Sequence, residues 1–286
     1  MPYIGRFAPT PSGRLHLGSI CTALGAYLRA RNLHGKILLR IEDLDTPRCP
    51  KEASLSILED LKLLGFEFDG PVIYQSQRLV RYQEVLDELL ELKRAYFCKC
   101  TRQSLKSHSC KCFLDALKAS EAKSVRFYSH TKASFCFQDE LLGLCEVHNS
   151  DEHITLKRAD HIFSYNFACV VDDIDEEMTE IVRGADLIEM TPIQKLLYKE
   201  LRKKPPKYLH LPLIKMNAEQ KFSKQNHAQA ALSLGSPCEV LLLCLRLLQQ
   251  DISFYKQNMQ PQEILYHAAL GFDINKIPRA DVIYTA

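Results

Sequence analysis

The strongest constraint on the fold lies near the amino terminus. Tyr3–Ala8 is a short apolar-rich run, ended by Pro9 and Pro11. A glycine-containing turn follows, and Ser19–Arg31 then carries Ile20, Leu24, Tyr27 and Leu28 at helical spacing. Lys36–Ile41 is a continuous β-type run, the pattern of a strand buried on both faces. Strand, helix and strand in this order predict parallel pairing through a right-handed crossover, and hence an open α/β sheet.

Downstream, Pro50 predicts a helix start, with Leu55, Leu58 and Leu61 on one face and Gly65 as the stop. A second helix is predicted from Arg78 to Lys93, with Tyr82, Val85, Leu86 and Leu89 inward. From 96 to 160 the pattern breaks into short runs with Cys, Ser and His, which reads as an insertion. Helical text returns at Tyr165–Val171 and strand-like text at Thr179–Arg183. Thr191–Pro192 predicts a capped helix start running to about Lys203, before Pro205–Pro206. Tyr208–Lys215 reads as a strand, Asn217–Asn226 as a polar loop, and the remainder as helical.

The net charge of +2 excludes a uniformly basic nucleic-acid coat but leaves room for a local basic groove. No run approaches the roughly 20 apolar residues of a membrane span; the most apolar stretch, Val240–Leu248, contains Arg246. The start, Met1–Arg6, lacks a secretory pattern. The 11 cysteines are odd in number, and four cluster as Cys98-x-Cys100-x9-Cys110-x-Cys112. A reducing cytoplasmic setting without a membrane partner is therefore expected. Four thiolates at this spacing could close one tetrahedral structural zinc, the alternative being four free thiols.

Four polar clusters fall at element ends. Arg6–Ser19 joins the first strand to the first helix. Open α/β sheets bind ligands beyond the carboxyl ends of their strands, and a helix start offers free N–H groups to phosphate. His16 and Ser19 add donors, and Gly18 permits close approach; alone, the segment also reads as a turn with a Ser cap. Arg40–Asp45 sets three carboxylates at the exit of the next strand, suited to an ammonium group, a metal or plain solvent. Arg183–Asp186 sets an arginine beside a glycine, able to clamp a carboxylate through two bonds or to form a surface salt bridge. In Lys221–Asn226, two lysines flank Ser223, either to steady a transferring phosphoryl group or as a solvated loop.

Taken in this order, Gly5–Ser19, Arg40–Asp45, Tyr165–Asp173, Ile181–Asp186 and Lys221–Asn226 resemble the glutamyl-tRNA synthetase lineage of class I aminoacyl-tRNA synthetases. Residues 16–19 look like its HIGH motif, and 221–225 like its KMSKS motif with Phe222 for Met and Gln225 for the last Ser. The likeness spans about residues 3–227. It implies an α/β, class I synthetase-type Rossmann nucleotide-binding fold with a zinc-bearing insertion and a short helical C-terminal part. The expected division is 1–75 for the first catalytic half, 76–163 for the insertion, 164–227 for the second half with its loop, and 228–286 for the helical segment. Of the 286 residues, 59 follow His227, too few for the anticodon-binding domain of a full glutamyl-tRNA synthetase, so none is expected. Length and the run Lys224–His227 point to a short branch of the lineage. That branch activates L-glutamate with ATP without tRNA and attaches it to queuosine in the anticodon loop of tRNA(Asp).

The resemblance also implies roles. His16 and Lys224 are the expected catalytic pair. His16, Gly18, Ser19, Lys221, Ser223 and Lys224 would hold ATP, which Mg²⁺ accompanies. Glutamate would contact Arg6, Phe7, Ala8, Pro9, Thr10, Glu42, Tyr165 and Arg183. Arg6 and Arg183 meet its carboxylates, Glu42 its ammonium, and Tyr165 lines the pocket, so two cations and an anion face two anions and a cation. The branch has a zinc site that starts with a Cys-x-Cys pair and usually includes a later tyrosine. No tyrosine lies between Cys100 and Tyr128, so Cys110 and Cys112 complete the expected set with Cys98 and Cys100, and His108 stands in reserve. Lys93, Arg94, Lys99, Arg102, Lys106 and Lys111 could meet RNA phosphates or simply be solvated.

Three other functions compete. A short synthetase-like ligase could charge another RNA or a protein amine, which charging with and without queuosine distinguishes. A different class I nucleotidyltransferase is disfavoured by Arg6, Glu42, Tyr165 and Arg183 together. A non-catalytic zinc-containing RNA-binding module has no use for a Lys224 loop and would not bind ATP.

Overall fold

A computed structural model of the chain describes residues 2–101, 103–107, 110–115, 117–129, 133–149, 153–215 and 230–284. The predicted opening forms: β1 (Ile4–Phe7) runs parallel to β2 (Lys36–Ile41), with Ile4 beside Lys36 and Phe7 beside Leu39. Helix α1 (Leu17–Asn32) makes the crossover. Gly25 lets it lie close to the sheet, because a Cβ there would meet Leu211 Cδ1 at 2.5 Å. Helix α2 (Lys51–Leu63) leads to β3 (Ile73–Tyr74), which pairs parallel with β2. Pro50 caps α2 from outside, and Gly65 just beyond its end has φ +77°.

The insertion divides into two parts. Helix α3 (Leu79–Glu91) precedes β4 (Ala95–Cys98), the one-turn α4 (Ser104–Ser107) and β5 (Ser124–Tyr128). The strands β6 (Ala133–Asp139) and β7 (Gly143–Asn149) form an antiparallel hairpin, and β8 (His153–Lys157) pairs with β5, which also pairs with β4. Helix α5 (Tyr165–Asp175) then leads into β9 (Glu180–Gly184). The hairpin lies against β10 (Lys207–Leu211), where the Glu140 N–H donates to the Tyr208 carbonyl at 2.8 Å.

Helix α6 (Thr191–Glu200) connects β9 to β10, its parallel neighbour. Here the predicted cap is wrong. The residue before the helix is Met190, following a 3-10 turn, and Thr191 already lies in the first turn. Its hydroxyl accepts from Arg183 Nη2 at 2.8 Å, so it is not spent on the helix start. The helix also stops at Glu200, short of Lys203. The predicted strand 208–215 is two strands, because Pro212 separates β10 from β11 (Ile214–Lys215).

The C-terminal part is helical in α7 (Pro237–Leu247) and α8 (Pro261–Leu270) but ends in a strand. That strand, β12 (Val282–Ile283), runs parallel to β11. Asp281 reinforces the pairing by accepting from the Leu213 N–H at 3.1 Å and pairing with Lys215 Nζ at 2.7 Å. Two β-branched residues are too short a run to carry a period, which is why the segment read as helical.

Strand β9 borders β1: the Thr179 N–H donates to the Ile4 carbonyl and the Ile4 N–H to Thr179 Oγ1, each at 2.9 Å. The chain thus leaves β1 toward β2 on one side and meets β9 on the other. One apolar core joins α1, β1, β2, α7 and α8; a second joins α3, β4, β5, β8, α5 and α6. Among the described residues, no helix is long and apolar enough to cross a membrane.

Candidate active site

Because the chain goes from β1 to β2 on one side and β9 lies on the other, the carboxyl ends of these strands are where ligands of such sheets sit. Phe7 and Pro9 are buried, Ala8 is half-buried and Thr10 is exposed. The Glu42 N–H donates to the Pro9 carbonyl at 3.1 Å, so the exits of β1 and β2 are tied together. His16, rather than Ser19, caps α1: its Nδ1 accepts from the Ser19 N–H at 3.2 Å, and its Nε2 lies 3.1 Å from Ser19 Oγ. A Cβ on Gly18 would come within 3.3 Å of the His16 ring and 3.9 Å of Ile214 Cβ. The start of α1 therefore abuts β11. The Ala231 N–H donates to the Leu15 carbonyl at 2.9 Å, which brings the chain back to the same helix start. Lys221, Ser223 and Lys224 lie outside the described residues, as do His108 and Arg102.

Buried behind these strand ends lies an ion network that the sequence reading did not anticipate. Arg40 is 0% exposed. It pairs with Asp173 at 2.8 Å, with Asp172 and Glu42 at 3.6 Å each, and with Glu176 more closely. Arg6 contacts Asp173 at 3.4 Å. Asp172 also accepts from Gln75 at 2.7 Å, Arg78 Nε at 2.6 Å and the Tyr82 hydroxyl at 2.8 Å. Burial alone would lower the pKa values of both arginines, but the field of Asp173 and its neighbours raises them. Burial pushes the Glu42 carboxyl above its ordinary range, against the pull of Arg40 and Arg6, and Cys169 Sγ donates to Glu42 Oε1 at 3.1 Å. Burial also raises the Tyr165 phenol, which feels Glu42, Arg183 and Arg6 together. Arg6, Glu42, Tyr165 and Arg183 are thus brought into one electrostatic neighbourhood.

Arg183, 3% exposed, is held differently. Nε donates to His210 Nε2 at 3.1 Å, Nη1 to Gln194 Oε1 at 2.9 Å, and Nη2 to the Leu187 carbonyl at 3.1 Å and Thr191 Oγ1 at 2.8 Å. All four acceptors are uncharged groups, and no carboxylate among the described residues forms an ion pair with it. A guanidinium has five N–H donors, so the one left is on Nη1. That narrows the expected two-bond clamp to a single N–H backed by a whole positive charge.

The insertion brings Cys98, Cys100, Cys110 and Cys112 together, with their sulfurs all within 4.8 Å of one another. Three separations are 3.7 Å (98 to 110), 3.9 Å (100 to 110) and 3.6 Å (100 to 112). A tetrahedron with Zn–S bonds of about 2.3 Å has edges of about 3.8 Å, so the four thiols fit one zinc ion. Burial raises the Cys98 thiol, and pushes Cys100 up to about 12; Cys112 is lowered despite its burial, by the Lys99 N–H and neighbouring thiols. The Tyr96 hydroxyl stands 3.8 Å from Cys110 Sγ and 2.7 Å from His153 Nδ1, bracing the cluster from one side.

Comparison with known proteins fits this geometry. Residues 4–267 match the family described as tRNA synthetases class I (E and Q), catalytic domain. The chain belongs to this family. It is 43% identical over 284 residues to the glutamyl-Q tRNA(Asp) synthetase of Yersinia pestis, covering 96% of this chain and 87% of that protein. It is 39% identical to the protein of that description from Shewanella oneidensis, covering 100% of this chain and 96% of the relative. The glutamate-tRNA synthetase of Elizabethkingia anophelis has the same fold, with a TM-score of 0.81 at 24% identity, over 100% of this chain and 68% of that one.

Within this class I synthetase fold, the residues that sequence reasoning missed are those that support others. Arg40 was grouped with Glu42, Asp43 and Asp45 as a polar exit, not as the hub of a buried network. A signal was present: Asp172 and Asp173 follow Val170 and Val171 in a helix whose face is otherwise apolar, which marks the acids as buried and paired. For Asp139, His210 and Gln194 no sequence signal was available.

Proposed function

We propose that this chain is an ATP-dependent ligase that activates L-glutamate as glutamyl-adenylate and transfers it to queuosine in the anticodon loop of tRNA(Asp). What supports the reading is that the fields of Glu42, Arg183 and Arg6 all reach the Tyr165 phenol, in a chain that aligns almost end to end with glutamyl-Q tRNA(Asp) synthetases. Two guanidinium groups and one carboxylate complement the two carboxylates and one ammonium of glutamate.

In the first step the glutamate α-carboxylate attacks the α-phosphate of ATP and pyrophosphate leaves. No protein nucleophile is needed, so catalysis is positioning and charge stabilisation. His16 and the start of α1 at Gly18 and Ser19 hold phosphate, Mg²⁺ accompanies the nucleotide, and Lys221, Ser223 and Lys224 complete the ATP site, with Lys224 steadying the transition state. The anchoring of residues 214–215 and 231 beside α1 supports that arrangement. Arg6 and Arg183 orient the amino acid with Phe7, Ala8, Pro9 and Thr10, and Glu42 receives its ammonium. In the second step a hydroxyl of the queuosine cyclopentene ring attacks the adenylate carbonyl and AMP leaves.

Zinc held by Cys98, Cys100, Cys110 and Cys112 would fix the shape of the insertion and take no part in the chemistry. The domain boundaries of the reading are 1–75, 76–163, 164–227 and 228–286. None of the eleven cysteines is joined in a disulfide, which suits a reducing cytoplasm. The test is incubation with ATP, radiolabelled glutamate and tRNA(Asp) with or without queuosine. Alkali-labile label on an anticodon fragment, dependent on queuosine, is the expected result. Label at the 3′ end, on unmodified tRNA or on no RNA overturns the reading. Metal analysis of the purified protein should give about one zinc per chain, abolished by C100S.

A further inference from the structure

Behind Arg183 stand two residues from distant parts of the chain. His210 Nδ1 lies 2.7 Å from Asp139 Oδ2, and both side chains are fully buried. The opposite ring nitrogen, Nε2, lies 3.1 Å from Arg183 Nε and 3.3 Å from Thr191 Oγ1. A carboxylate only accepts and a guanidinium only donates. The two contacts therefore dictate one tautomer: Nδ1 carries the proton and gives it to Asp139, while the Nε2 lone pair faces Arg183. Asp139 sits at the end of β6 and also accepts from the N–H groups of Leu141 at 3.0 Å and Leu142 at 2.9 Å, and from the His210 N–H at 3.2 Å. It thus fastens the tip of the insertion hairpin to β10.

We propose that Asp139 and His210 are a positioning pair for Arg183: the carboxylate selects the imidazole tautomer that holds the guanidinium by Nε, and so couples the β6–β7 hairpin to recognition of a substrate carboxylate. The inference rests on the functional reading above. The pair orients Arg183 without neutralising it, because the group that touches the guanidinium is an uncharged ring. Burial and the field of Arg183 keep that ring below its ordinary pKa despite Asp139 and Asp186. An aspartate placed directly on Arg183 would orient it equally well but would cancel the charge that distinguishes a carboxylate from an amide.

The test is a double-mutant cycle with D139N, H210Q and the double variant, read by glutamate-dependent ATP–pyrophosphate exchange. The asparagine of D139N retains Oδ1 for Leu141, Leu142 and the His210 backbone N–H, which lies 3.4 Å from it, but offers an N–H to the His210 ring. The ring then shifts its proton to Nε2, and two donors confront each other at Arg183. D139N should raise the KM for glutamate by about tenfold or more, with kcat within about threefold, since a charge-assisted hydrogen bond is lost. The glutamine of H210Q can face Arg183 with its amide oxygen and has no tautomer to select. H210Q should therefore cost about fivefold or less, and adding D139N to it should change nothing further. An unchanged KM in D139N, or an equal penalty in both backgrounds, overturns the proposal and leaves Asp139 as a hairpin fastener. A wild-type protein without any glutamate-dependent exchange would instead defeat the functional reading. The pair is then judged by ¹⁵N NMR of the His210 ring, assigned by its loss in H210Q. A neutral ring protonated on Nδ1 in the wild type and on Nε2 in D139N supports the pair, and an Nε2-protonated wild-type ring overturns it.

Discussion

The two arginines proposed to meet glutamate live in opposite surroundings. Arg6 shares Asp173 with the buried Arg40, inside a cluster that also holds Asp172, Glu176 and Glu42. Arg183 is surrounded by an imidazole, an amide, a hydroxyl and a carbonyl. In the first region charge is compensated within the fold, so Arg40 and the acids of α5 are primarily structural and back Arg6 and Glu42 with a rigid wall. In the second region the described contacts supply geometry from uncharged groups, and in the proposed function the charge is met by what binds. In the proposed function, stability and recognition thereby fall to different sides of one site, and substitutions should separate them.

The largest effect is expected from R40M. Removing the hub leaves several buried carboxylates without their shared cation, and an uncompensated buried charge of this kind costs about 3–5 kcal/mol. Urea unfolding should show a large fall in the midpoint with little change in slope. A loss below about 1 kcal/mol would mean that the acids take up protons readily, and the contrast between the two regions would disappear.

R183K comes next, with the opposite profile. Lysine keeps the charge but cannot satisfy His210, Gln194, Leu187 and Thr191 together. The kcat/KM for glutamate in pyrophosphate exchange should fall about 10- to 100-fold, or about 1.4–2.7 kcal/mol of transition-state stabilisation. The unfolding midpoint should move far less than in R40M. Equal damage to stability in both variants would break the comparison.

The two regions also titrate with opposite signs. His210 has its folded pKa depressed by burial and by Arg183. Its contribution is complete above the unfolded value of about 6.5 and is lost as pH falls from there through the folded value. Glu42 and Glu176 have folded pKa values raised by burial; their contributions are complete below the unfolded value of about 4.3 and are lost as pH rises through the folded values. Thermal midpoints taken from pH 7.5 down to 5.5 should fall in the wild type and fall less in H210Q. Parallel curves for the two proteins would remove His210 from the acid limb.

The contrast also explains what could be read in advance. Lys36–Ile41 forms the strand its continuous β-type run implies, because burial on both faces leaves a local imprint. The cysteine pairs are close in sequence, so their meeting needs only a short loop. Beyond the acids at the end of the apolar face of α5, the supports proposed for the site have no such imprint. Arg40 and Glu176 are 136 positions apart, and Asp139 and His210 are 71 apart. Thr191 looked like a helix cap because Thr before Pro usually is one; the tertiary demand of Arg183 for an acceptor overrode the local preference. Residues proposed to touch a ligand fall at strand ends and in motifs, whereas residues that hold them are chosen by three-dimensional packing.

The smallest effect should come at the outer edge of the charged region. Arg81 Nε lies 2.9 Å from Asp175 Oδ2, but the two side chains are 44% and 24% exposed. Arg78 Nη2 grips the same carboxylate at 2.6 Å. Asp175 is held below the usual carboxylate range by these two arginines despite its partial burial. Solvent screening and the retained Arg78 contact reduce what the Arg81 pair adds, so R81A should cost about 0.3–1 kcal/mol. Its loss should shrink further in 1 M salt, because exposed pairs are screened over about 3 Å there. The R40M penalty, with no water around the hub, should stay nearly constant between 0.1 and 1 M. If both penalties faded together with salt, solvent would be reaching Arg40, and the rigid wall behind Arg6 would have to be redrawn as a hydrated one.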